Sequence, residues 1–183
     1  MACLQETKQV GTKARVVDGY KLWYSGRVGN RNGVCILVDD KLKKQVVEVK
    51  RVNDRMMLIK LVIKGSSWNN ISAYALHVGL DNKVKNIFWE DLDDMVRGVP
   101  SNEKLFIGGN FNGYIGSSSR GYDNVHGGYR FGVRNVDGVA LLDFAWAFGL
   151  VVVNLNFPKK EVQLVTFCCS VSRTKIDLLL YGK

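Results

Sequence analysis

Three places in this 183-residue chain set a polar side chain where an apolar run stops. Strand ends of this kind are where a rigid scaffold commonly offers groups to a ligand. Glu6 closes Leu4-Gln5-Glu6-Thr7-Lys8, Asn110 and Asn112 follow Ile107-Gly108-Gly109, and Asp177 lies inside Lys175-Ile176-Asp177-Leu178-Leu179. The carboxylates can accept charge-assisted hydrogen bonds or a cation; the amides hydrogen-bond but cannot take up a proton near neutral pH. A charge between Ile176 and Leu178 is costly unless it faces a partner or a cleft. Singly, each has a structural explanation: Glu6 as a surface carboxylate, Asn110 as a turn former, Asp177 as a salt-bridged edge residue.

The elements that must position these groups are mostly strands. Ala2–Glu6 reads as a short buried strand. Lys21–Ser25, Gly33–Val38, Val46–Lys50, Met56–Ile63 and Asn70–Tyr74 continue the β pattern, with Lys64-Gly65-Ser66-Ser67 as a turn. Over Asp81–Arg97 the period changes. Val84, Ile87, Phe88, Leu92 and Met95 recur at three- and four-residue steps and predict an amphipathic helix, with Glu90, Asp91, Asp93 and Asp94 as its solvated face and Gly98 and Pro100 as its stop. Lys104–Gly109 is a buried strand. Val136–Phe148 is apolar nearly all round and predicts a helix packed on both sides. Leu150–Val153, Val165–Phe167 and Lys175–Leu180 supply the last strands. This mixture predicts one layered α/β domain over residues 1–183.

Composition sets the outer limits. An apolar content of 46% and a charged content of 23% exclude collagen, coiled coil and wholesale disorder. Short apolar runs and the lack of a signal-peptide layout predict a soluble, intracellular protein that does not enter a membrane. Residues 1–60 hold 13 basic and 6 acidic groups out of totals of 26 and 17. A basic end of this kind suits a polyanionic partner, nucleic acid before others. Cys3, Cys35, Cys168 and Cys169 form no CxxC pair and read as buried or incidental thiols.

Taken in order, Gln5-Glu6-Thr7, Ser72-Ala73-Tyr74-Ala75, Gly109-Asn110-Phe111-Asn112, Val165-Thr166-Phe167 and Lys175-Ile176-Asp177-Leu178-Leu179 resemble the endonuclease/exonuclease/phosphatase superfamily. His126-Gly127-Gly128 through Leu141-Leu142-Asp143-Phe144-Ala145 is similar to its retroelement-type endonuclease branch. The resemblance implies a four-layer α/β sandwich of two mixed β-sheets flanked by helices. It also implies phosphodiester hydrolysis with Mg²⁺ (or Mn²⁺) held largely by Glu6, Tyr74 and Asn112 beside the phosphate, and Asp177 orienting a histidine. DNA is the favoured substrate class, ahead of RNA.

The chain departs from that pattern in three ways. Asn110 stands where the family has an aspartate that orients or deprotonates water, and losing a positioned base typically costs ~10²–10⁴-fold in rate. His77 and His126, read as surface or loop residues, do not match the family's terminal histidine. The first strand and the histidine-bearing last segment of full members have no counterpart, so truncation at both ends is expected to expose sheet edges and favour self-association. The favoured reading is an impaired relative that retains salt-sensitive nucleic-acid binding. An active metal-dependent nuclease and a protein-interaction module are the alternatives.

Overall fold

The computed structural model describes residues 1–28, 32–76, 81–127, 133–153, 167–168, 173–174 and 177–182. A four-stranded antiparallel sheet contains β1 (Ala2–Leu4), β2 (Ala14–Val17), β3 (Tyr20–Ser25) and β4 (Val34–Asp39), in the order β1-β4-β3-β2. A six-stranded sheet contains β5 (Val46–Asn53), β6 (Met56–Ile63), β7 (Ser66–Tyr74), β8 (Lys104–Asn110), β9 (Val151–Val152) and β12 (Asp177–Gly182), in the order β5-β6-β7-β8-β12-β9. Its β7–β8 pair is parallel, because helix α1 (Asn82–Arg97) carries the chain back between them. β10 (Phe167–Cys168) and β11 (Arg173–Thr174) form a separate two-stranded ribbon.

Alternation along the strands builds two cores. Met57, Ile59, Leu61 and Tyr74 face Trp23, Val34, Ile36 and Val38 of the other sheet. Met56, Leu58, Ile71, Leu105, Ile107, Leu178 and Leu180 face α1 and α2 (Val136–Ala147). Both α-helices therefore cover one side of the six-stranded sheet, and the expected α/β sandwich of two facing sheets is present. The four-stranded sheet is antiparallel throughout, since its strands pair only with antiparallel neighbours.

Local chemistry fixes the element ends. Asp81 caps α1 by accepting from the Lys83 amide, and Asn135 caps α2 by accepting from the Gly138 amide. Asp18-Gly19 and Lys64-Gly65 both have left-handed φ at each central residue and close two-residue hairpins.

Several sequence expectations change. β1 ends at Leu4, and both Ala2 and Leu4 are exposed, because β1 is an outer strand of its sheet. In α1, Val84 and Ile87 are exposed and Val96 is buried instead. Its acidic side is only partly solvated, since Asp91 accepts from Asn53 Nδ2 at 2.8 Å and Asp93 pairs with Arg97. α2 packs on one side only. Leu141, Leu142, Phe144 and Ala145 are buried, whereas Val136, Val139 and Trp146 face outward. His126 lies in a loop as expected but is only 1% exposed, with Nε2 3.0 Å from the Gly116 carbonyl oxygen. His77, Cys169 and the expected strand residues Val165, Thr166, Lys175 and Ile176 lie outside the described residues.

β1 packs across β7 and β8 of the six-stranded sheet. Beyond it the inner face of β8 and β12 borders an apolar groove of about 760 Å³, lined by Leu4, Trp68, Phe106, Gly108 and Leu179 among others. The Trp68 and Phe106 rings stack at 5.6 Å along its floor. Among the described residues no helix is long and apolar enough to cross a membrane.

Candidate active site

Three neighbouring strands place their polar ends at one level. In the β7–β8 register Tyr74 lies opposite Asn110, and in the β8–β12 register Asn110 lies opposite Asp177. Gly109 makes this register possible. A Cβ there would lie 2.0 Å from the Ala73 carbonyl oxygen, closer than any side chain tolerates.

Glu6 reaches the same level from the loop after β1. Its backbone is left-handed at φ 54°, and so is that of Lys8 at 52°. Non-glycine residues adopt this region at some energetic cost, so the surroundings must enforce it. Here the Thr7 and Lys8 amides donate to the carbonyls of Gly33 and Asn32 at 3.1 and 3.2 Å. Gly33 itself sits at φ 113°, where a Cβ would strike Thr7 Oγ1 at 2.8 Å. Thus held, Glu6 Oε1 accepts from the Tyr74 hydroxyl at 2.9 Å. Tyr74 is only 2% exposed. Burial, and then the hydrogen bond and charge of Glu6, push its phenol up to about 12, with Arg55 opposing the rise.

Asn110 and Asn112 form a local clasp. The Asn112 amide donates to Asn110 Oδ1 at 3.0 Å, Asn112 Nδ2 donates to the Ala75 carbonyl at 3.0 Å, and the Ala75 amide donates to the Asn110 carbonyl at 2.8 Å. Asn112 is buried and left-handed at φ 51°, a conformation asparagine adopts more readily than most residues.

The structure thus joins Glu6 to Tyr74 by a direct hydrogen bond, and Tyr74, Asn110 and Asp177 by register. His126 is engaged elsewhere, at Gly116. The Asp54-Arg55 turn, absent from the sequence-derived set, lies beside these residues. Arg55 stacks 4.8 Å from the centre of the Tyr74 ring. The sequence signal available for it was a charged pair between two apolar strands.

A divalent cation here would draw on Glu6, the residue the family resemblance assigns to it, with water completing its shell. Glu6 is the carboxylate in contact with Tyr74, and one of its oxygens already accepts from that hydroxyl. The Asn110 amide oxygen is taken by the Asn112 amide. Among the described residues no group of three His, Cys, Asp or Glu side chains could hold a metal ion.

No protein-family model matches the chain. Craniofacial development protein 2 of Bos taurus is 26% identical over 165 residues, covering 90% of this chain and 28% of that protein. The chain therefore spans just over a quarter of the length of the curated relatives it matches. The AP endonuclease LMAP of Leishmania major superposes with a TM-score of 0.68 at 12% identity, over 99% of this chain and 69% of that one. The endonuclease domain of TRAS1, a telomere-specific non-LTR retrotransposon, superposes with a TM-score of 0.60 at 14% identity, over 91% and 68%. The chain has the endonuclease/exonuclease/phosphatase fold. Within that fold, the mixed sheet supplies Tyr74, Asn110 and Asp177 from adjacent strands, and the antiparallel sheet supplies Glu6 through the loop after β1. Craniofacial development protein 2 of Tragulus javanicus is likewise 26% identical over 165 residues, and neither relative singles out plants.

Proposed function

We propose that this domain binds the sugar–phosphate backbone of nucleic acid, DNA in preference to RNA, and cleaves it poorly or not at all. The observation that carries the reading is Asn110. It stands between Tyr74 and Asp177 in strand register, with its side-chain oxygen spent on the Asn112 amide, where a hydrolase of this fold would need an ionisable oxygen. The Glu6–Tyr74 pair and the Asn112 clasp keep the form of a phosphate site around it. The basic excess of residues 1–60 supplies long-range attraction, and binding of this kind weakens steeply with salt.

Tyr74 and Asn112 are the groups assigned to the phosphate, Glu6 orients the Tyr74 hydroxyl, and Asp177, opposite Asn110 in register, lines the end of the groove beside β1. The TRAS1 and LMAP likenesses, both to endonucleases, support nucleic acid as the ligand. The test uses supercoiled plasmid with Mg²⁺ or Mn²⁺, an EDTA control and a Glu6→Ala variant, alongside duplex retention at low and high salt. The expected result is retention at low salt, release at high salt and no nicking above the EDTA control. Nicking that requires both metal and Glu6 would establish an active nuclease instead. Retention indifferent to salt would overturn the nucleic-acid reading.

A further inference from the structure

We infer that Arg55 is the cationic phosphate contact of this site and, through the same guanidinium, the residue that positions Tyr74 and Asn112. The inference rests on the nucleic-acid reading above and adds to it a group that neither the motifs nor the relatives assign.

Arg55 sits in the two-residue turn between β5 and β6, a turn fastened on every side. The Asn53 side chain holds the Arg55 amide at 2.8 Å and donates to Asp91 of α1 at 2.8 Å. Ser25 of β3 donates to the Asn53 carbonyl at 2.7 Å, and the Gly33 amide donates to the Asp54 carbonyl at 3.0 Å. Both sheets and one helix therefore fix where the guanidinium points. Its Nη1 donates to the Tyr74 and Ala75 carbonyls, each at 3.3 Å, and its Nη2 to Asn32 Oδ1 at 2.9 Å. The Ala75 carbonyl is also the acceptor for Asn112 Nδ2, so one oxygen links Arg55 to Asn112. The Tyr74 amide returns a bond to the Arg55 carbonyl at 2.8 Å.

A guanidinium carries five N–H donors in a planar fork. Three are accounted for by these carbonyl and amide oxygens, all of them neutral. Among the described residues Arg55 makes no salt bridge, although Asp54 is its sequence neighbour: that carboxylate accepts from Asn32 Nδ2 at 3.1 Å. A buried-edge arginine held by neutral acceptors keeps its full charge for an anion, and the planar fork matches a phosphate better than an ammonium does. Lys85, another cation near the site, is by contrast paired with Asp137 at 2.7 Å.

The test measures duplex DNA binding by fluorescence anisotropy across a salt series for the wild-type chain, Arg55→Gln and Arg55→Lys, with circular dichroism as the folding check. Arg55→Gln is expected to weaken binding on the order of tenfold and to reduce the slope of log K against log salt by ~0.9, the signature of one lost phosphate contact. Arg55→Lys keeps the charge but not the fork: it is expected to retain the wild-type slope while losing several-fold in affinity. If Arg55→Gln does not fold, Arg55→Lys decides, and wild-type affinity in that variant overturns the inference. An unchanged slope in folded Arg55→Gln also overturns it. A wild-type chain that binds no duplex overturns the nucleic-acid reading instead.

Discussion

Changing Asn110 to aspartate will destabilise the chain near neutral pH and restore little hydrolysis. Asn110 and Asp177 are directly opposed in the β8–β12 pairing, which sets their Cβ atoms ~5 Å apart. Two carboxylates at that separation repel by roughly 1 to 3 kcal/mol as the effective dielectric constant runs from about 80 to about 20. The shape of the site survives the change, because an aspartate oxygen can still accept from the Asn112 amide as Asn110 Oδ1 does at 3.0 Å. The penalty is therefore one of charge and must depend on pH. Repulsion raises the new carboxyl above its unfolded value of ~3.9, so the folded chain binds that proton more tightly than the unfolded chain. The penalty is absent below the unfolded value and grows as pH rises through the folded one. Urea melts at about pH 4 and about pH 7 should show the variant close to wild type at the first and roughly 1 to 3 kcal/mol weaker at the second. Plasmid nicking should stay near background, since no imidazole enters this site from His126. Equal stability at both pH values would mean that residue 110 does not face Asp177. A rate gain of ~10²-fold or more would mean that another group stabilises the transition state.

Tyr74, whose phenol is raised to about 12 by burial and Glu6, should titrate above the exposed tyrosines in an ultraviolet difference titration; Glu6→Gln should bring it down, and an unchanged curve would contradict the Tyr74–Glu6 bond. Because the folded chain holds that proton more tightly, stability should fall as pH rises from about 10 towards the folded value, a loss that Tyr74→Phe should abolish. Gly109→Ala drives a methyl into the Ala73 carbonyl and should cost about 3 kcal/mol or more, lowering Tm by roughly 6 to 12 °C; a thermal melt within two or three degrees of wild type would refute the close approach. Self-association through β1 should appear as concentration-dependent sedimentation, and Leu4→Lys should reduce it by placing a charge on an edge where Leu4 is 43% exposed.

Much of the scaffold was legible because its signals are local. Met56 to Ile59 alternate between two cores, and the helix of Asn82–Arg97 shows in its period and its Gly98 stop. The strand Ala14–Val17 escaped notice because its residues are all exposed, so it carries no apolar alternation; the Asp18-Gly19 pair that turns it back was the available clue. The outward faces of both helices were misread for the opposite reason: Val84, Ile87, Val139 and Trp146 look like core by composition, and only the extent of the sheet beneath decides what is covered. Glu6, Asn110, Asn112 and Asp177 stand out in the sequence as polar groups where apolar runs end, whereas Tyr74 is reached only through the family resemblance of Ser72-Ala73-Tyr74-Ala75. Arg55 is reached by neither route, since its contacts to Asn32, Tyr74 and Ala75 exist only after both sheets have closed on its turn.

The groove beside β1 has a practical corollary for anyone handling the protein. Environment-sensitive dyes such as those used in thermal-shift plates fluoresce when they find greasy surface, and here a groove of about 760 Å³, floored by Trp68 and Phe106, offers such surface before any unfolding begins. Such traces will start bright and report the melt poorly. Nonionic detergent, by lodging in the same trough, will mask it and compete with the dye, which makes intrinsic tryptophan emission or circular dichroism the sounder gauge of the folded state.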